Sequence, residues 1–123
     1  MTGAGQALRR ELVWDVAYRF AAGYEATSRA LDAGLDFRAI QCGSDELALG
    51  ALAAIRDRGR AVPDDIAVIG FGNLDWGGHV RPALTTLSVH PATVAGHMAT
   101  LLAGGEPKLL TVIPRTLVRR GSA

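Results

Sequence analysis

Six residues with no polar side chain among them, Ile66-Ala-Val-Ile-Gly-Phe71, limit what this chain can fold into more than any other stretch. Nothing in the run alternates polar with apolar, so a strand made from it needs cover on both faces, as in a parallel sheet flanked by helices. The flanking sequence supplies the cover. Residues 45–58 predict a helix, with Asp45 and Glu46 opposing the positive end of its dipole, Arg56 and Arg58 in its last turn and Gly59 closing it. Leu49, Leu52 and Ile55 form one stripe, and Ala48, Ala51 and Ala54 keep a second face small. Val62-Pro-Asp-Asp65 then reads as a turn.

The same grammar extends in both directions. Phe20, Tyr24, Thr27 and Leu31 recur at helical spacing over residues 20–33, and Gly34 stands where the chain would leave the helix. Residues 38–42 are expected as a short buried strand, 72–81 as a polar loop and 84–89 as a strand. Residues 94–103 form a short amphipathic helix, and 109–118 a last extended segment that Pro114 pushes to an edge. Residues 1–17 are weakly patterned, with a helical turn over 7–12 and a short strand over 12–17. Alternation of strand and helix predicts an α/β fold with a mostly parallel sheet flanked by helices.

Composition excludes several function classes. A net charge of +1 gives no basic field for nucleic acid. No apolar run approaches the ~18 residues of a membrane span, and the first residues lack a secretory leader's charged and apolar regions, so a cytoplasmic protein is expected. Cys42 is the only cysteine, so no internal disulfide can form. Gly70-Phe-Gly72 lacks the third glycine and the directly following helix of a dinucleotide loop. His79, His90 and His97 lack metal-ligand spacing, and Gly43-Ser44-Asp45 is no nucleophile elbow. No catalytic residue, metal or cofactor is expected. Position carries the remaining argument, because ligands of open α/β sheets bind beyond the carboxyl ends of strands. Two such ends offer Ser44 and Asp45, and Phe71, Gly72 and Asn73, a set suited to a polyhydroxylated or carboxylated small molecule. Asp45 reads equally well as a helix cap.

These segments together resemble the C-terminal part of the effector-binding domain of LacI/GalR-family repressors, nearest to gluconate-type members. The resemblance rests on Ala39-Ile-Gln-Cys-Gly-Ser-Asp45, Ala48-Leu-Gly-Ala-Leu52, Gly59-Arg-Ala-Val-Pro-Asp-Asp-Ile66, Val68-Ile-Gly-Phe71, Pro82-Ala-Leu-Thr-Thr-Leu87 and Leu117-Val-Arg-Arg120, and upstream on Tyr18-Arg-Phe-Ala-Ala-Gly-Tyr24 and Leu31-Asp-Ala-Gly34. It runs from about residue 18 to residue 123, and it implies part of a periplasmic-binding-protein-like (type I) domain of two lobes with the ligand between them. The family commonly has asparagine at the position of Ser44 and aspartate at that of Gly72, so this chain departs at both. Losing a carboxylate at position 72 removes an acceptor for sugar hydroxyls and a repulsion against acidic ligands, which favours a sugar acid such as gluconate. The resemblance further implies a homodimer with Leu49 and Val80 at the interface, and DNA contact only through a helix-turn-helix domain that these residues do not include. The helix at 94–103 would pack on the other lobe. A fragment of a sugar-binding transport protein and a small α/β enzyme are the rival readings.

Overall fold

The computed structural model describes residues 9–106 and 110–123. Three helices and four strands follow in the order α1 (Phe20–Asp32), β1 (Ala39–Gln41), α2 (Asp45–Asp57), β2 (Ala67–Gly72), β3 (Thr85–Ser88), α3 (Pro91–Leu102) and β4 (Thr116–Val118), with short 3₁₀ turns at Arg10–Leu12 and Asp75–Gly78. The strands form one open sheet in the order β1-β2-β3-β4. The first three are parallel and β4 runs antiparallel on the outer edge of β3. The fold is thus α/β with a mostly parallel sheet, and Pro114 precedes an edge strand as its missing N–H requires.

The core lies between α2, α1 and one face of the sheet, where Ala48, Ala51, Leu52 and Ile55 pack with Ile40, Ile66, Val68 and Leu84. The two helices approach closely because glycine stands at the crossing: a Cβ at Gly50 would collide with the Phe20 carbonyl, and one at Gly23 with the Leu47 backbone. A bidentate ion pair, Arg58 Nε and Nη2 to Asp32 Oδ1 and Oδ2 at 2.7 Å each, ties their C-terminal ends.

Four points correct or add to the sequence expectations. First, β2 is covered on one face only: Val68 and Gly70 are buried, whereas Ala67, Ile69 and Phe71 on the opposite face are half-exposed. Second, α1 buries its small residues, Ala22, Gly23, Ala26, Thr27, Ser28 and Ala30, and leaves Phe20 and Tyr24 stacked on each other outside. Close helix packing selects the small face over the large apolar one. Third, residues 12–17 pair with no strand among the described residues; Leu12, Trp14 and Val16 turn inward, and Trp14 sits edge-on to Phe37 at 5.7 Å. Fourth, α3 begins at Pro91, three residues earlier than expected, because proline suits the first helical turn. It buries no residue, and Leu102 is 88% exposed. The helical turn expected over 7–12 and the extended segment expected from Leu109 begin outside the described residues.

The C-terminus is built into the sheet. Ser122 is fully buried where β2 and β3 diverge; its Oγ donates to the Val68 carbonyl at 2.6 Å and accepts the Thr85 N–H at 2.8 Å. The Ser122 backbone N–H donates to the Ala83 carbonyl, and its own carbonyl accepts the Val68 N–H.

Candidate functional site

The parallel strands end together, and their register sets Gly72, Ser88 and Thr116 in one row across β2, β3 and β4. Ser44 follows β1 at the same end and caps α2, its Oγ accepting the Leu47 N–H at 3.2 Å. The cap role therefore belongs to Ser44, and Asp45 is the first residue inside the helix.

Asp45, expected at the ligand surface, is 0% exposed. One carboxylate oxygen accepts the Thr86 hydroxyl and the other the Leu74 N–H at 2.7 Å. Burying a carboxylate is tolerable only with such donors. A Cβ at Gly70 would collide with Asp45 Oδ1, so glycine in β2 makes the room for this group. Asp45 therefore positions the loop that leaves β2 and presents no oxygen to solvent.

That loop is held from two further sides. The Asn73 N–H donates to Thr86 Oγ1 at 3.3 Å, and Asn73 Oδ1 accepts from Arg120 Nη2 at 2.9 Å. Arg120 Nη1 donates to the Leu84 carbonyl at 2.8 Å, which fixes the guanidinium. Asn73 has φ 57°, a left-handed conformation that asparagine tolerates better than most residues. Its side-chain oxygen is thus committed to Arg120, which sequence reasoning did not foresee. Gly72 has φ 127°, where side chains are strained, and a Cβ there would stand 3.8 Å from Asp45 Oδ2. A second carboxylate at this position would face the buried one.

Ser44, Phe71 and Gly72 remain at the surface of the strand ends, half-buried. Four neighbours join them that the strand-end reading did not include. Tyr18 is 70% exposed and lies over the end of β1, where a Cβ on Gly43 would meet its hydroxyl at 2.9 Å. His90 Nε2 and Thr116 Oγ1 lie 2.8 Å apart, bridging the end of β3 to the start of β4. The Arg115 guanidinium stands over the Phe71 ring, 5.9 Å from its centroid. Beneath them Cys42 is buried, and burial with the nearby Asp45 charge pushes its thiol up to about 12.

Leu49 and Val80, far apart in sequence, line one shallow groove with Phe20, Leu52, Ala53 and Arg56. Among the described residues no three potential ligands gather as a metal site, and no helix is long and apolar enough to cross a membrane.

The profile of the periplasmic binding protein-like domain matches residues 1–123. The chain belongs to this family. Among periplasmic binding protein-like sequences it is 38% identical over 105 residues to the HTH-type transcriptional regulator GalR of Salmonella typhimurium, covering 81% of this chain and 31% of GalR. It is 34% identical over 132 residues to the repressor PurR of Glaesserella parasuis, covering 97% and 38%. A LacI-family regulator from Sanguibacter keddieii superposes with a TM-score of 0.90 at 37% identity, covering 98% of this chain and 47% of that one. A sugar-binding LacI-family regulator from Escherichia coli, complexed with phosphate, gives 0.83 at 29% identity, covering 97% and 44%. The chain therefore spans about a third of the length of these curated relatives. GalR and PurR are transcriptional regulators, and the two superposed structures are LacI-family regulators. Their names are those of GalR and PurR regulators, not gluconate-type ones.

Proposed function

We propose that these residues form one wall of the effector cleft of a LacI-family transcriptional regulator, and that the effector is a sugar or sugar acid such as gluconate. The observation that carries this reading is the row of strand ends. Ser44, Gly72 and Thr116 put hydroxyls and exposed backbone at one surface, and Tyr18 and Phe71 flank it with aromatic faces. Sugars are held by that combination, hydroxyls by hydrogen bonds and ring C–H faces by aromatic rings. Absence of a side-chain carboxylate at position 72 favours an acidic ligand over a neutral pyranose. The sugar-binding regulator among the structural neighbours supports the ligand class.

A second copy pairs through the groove of Phe20, Leu49, Leu52 and Val80, in which Phe20 is exposed, Leu49 and Val80 are half-buried and Leu52 forms the buried floor. In the longer regulator, a ligand that binds one closure state of the cleft better than the other would shift their populations, and with them the spacing of two DNA-binding heads. The parent protein acts in the cytoplasm on operator DNA through its helix-turn-helix domain.

Calorimetric titration of the chain with D-gluconate and D-galactose tests the reading. Saturable binding that weakens in Tyr18→Ala supports it, since that side chain is too exposed for its loss to unfold the domain. No saturable heat with either compound up to millimolar concentrations refutes it.

A further inference from the structure

We infer that Arg115 is the specificity-determining residue of this site and selects effectors that carry an oxyanion, a carboxylate or a phosphate; the inference rests on the cleft reading above. Arg115 lies immediately before β4, one residue outside the ladder that pairs Thr116 with Ser88. From there it reaches across the end of β3, donating from Nη1 to the Val89 carbonyl at 3.3 Å, and places its guanidinium over Phe71 at the end of β2. Both contacts fix the plane of the group. The long hydrogen bond and the aromatic face leave Nε and Nη2 without a protein acceptor among the described residues, beside the row of Gly72, Ser88 and Thr116.

The contrast with Arg120 is informative. That guanidinium donates to Leu84 and to Asn73 and is spent on the protein's own structure. The carboxylate nearest the strand ends, Asp45, is buried and satisfied by Leu74 and Thr86. Among the described residues Arg115 takes part in no ion pair. A cation that is oriented, unneutralised and resting on an aromatic face matches the fork of a carboxylate or phosphate, and its weak hydration lets it exchange water for such a partner. Lysine would supply the charge without the planar fork.

The test is a ¹⁵N chemical-shift titration of the chain with D-gluconate, D-glucose 6-phosphate and D-glucose, on the wild type, Arg115→Met and Arg115→Lys. The inference predicts that at least one anion binds more tightly than glucose to the wild type. Arg115→Met should weaken that anion roughly tenfold or more, the scale of one charge-assisted hydrogen-bond pair, while leaving glucose unchanged. Arg115→Lys should fall between them. Whichever of gluconate and glucose 6-phosphate depends more on Arg115 identifies the oxyanion. Anion affinity unchanged in Arg115→Met, or a loss matched by an equal loss for glucose, overturns the inference and leaves the cleft standing. Strand-end amides of Phe71, Gly72 and Ser88 undisturbed by all three compounds overturn the cleft as well.

Discussion

Removing the Asp45 carboxylate should damage this domain more than any other single polar change, although nothing about the residue touches solvent. Asp45→Ala strips the acceptor from the Leu74 N–H and the Thr86 hydroxyl together. Leaving those two donors without an acceptor costs about 1–3 kcal/mol each, against a total stability of about 5–15 kcal/mol for a domain of this size. With an m-value of about 2 kcal/mol/M, the urea midpoint should fall by about 2 M, read by far-UV circular dichroism. Asp45→Asn keeps one acceptor but turns an amide N–H₂ toward a donor, so about half that loss is expected. The packing supplies an internal control. Gly70→Ala drives a methyl into Asp45 Oδ1 in the wild type, whereas in the Asp45→Ala background only the flexible Leu84 side chain, with Cδ2 at 3.0 Å, still crowds it. The two substitutions should therefore be strongly non-additive, the double variant being more stable than the sum of the singles by about 1 kcal/mol or more. An Asp45→Ala loss below about 1 kcal/mol, or strictly additive behaviour with Gly70→Ala, would refute the reasoning.

Other predictions follow from the same geometry. Ser122→Ala leaves the Thr85 N–H and the Val68 carbonyl without their side-chain partner inside the sheet, and should cost about 1–3 kcal/mol by the same urea assay. Cys42, buried and with its thiol pushed up to about 12, should resist iodoacetamide at pH 7.5 in the folded chain and react promptly in 6 M urea, followed by mass spectrometry. Hydrogen bonds from Arg58 hold the Asp32 carboxyl below its ordinary 3.8. A lowered folded value adds stability above the unfolded value, and that stability is lost as pH falls through the folded one. Arg58→Ala should move the Asp32 midpoint up toward 3.8 in a carboxyl NMR titration, with little effect on stability at pH 7 because the pair is exposed.

What could be read from the sequence was mostly local. The apolar run at 66–71 announced β2, and the acidic start and basic end of residues 45–58 announced α2 to within a residue. Which face of a helix is buried depends on its neighbour. Tyr24 and Leu31 gave α1 its helical period, but the close crossing against Gly50 chose the alanines for the interior. For the candidate site, the strand-end rule pointed to Ser44, Phe71 and Gly72, and all three lie half-buried where strands end. It misjudged Asp45, because adjacency to Ser44 in sequence says nothing of the Thr86 hydroxyl waiting 41 residues away. Arg115 belonged to no quoted motif, and Tyr18 opened one without being read as a site residue; both lie beside the strand ends in space. Ser122, which no motif marked, is buried where its hydroxyl bridges the Val68 carbonyl and the Thr85 N–H.

A crystal structure of the chain soaked in D-gluconate shows whether the row of strand ends binds the effector. The sugar acid is expected against Tyr18, Ser44, Phe71 and the row of Gly72, Ser88 and Thr116, with its carboxylate on Arg115. Ordered gluconate at the opposite end of the sheet, or on the groove of Leu49 and Val80 alone, would contradict it.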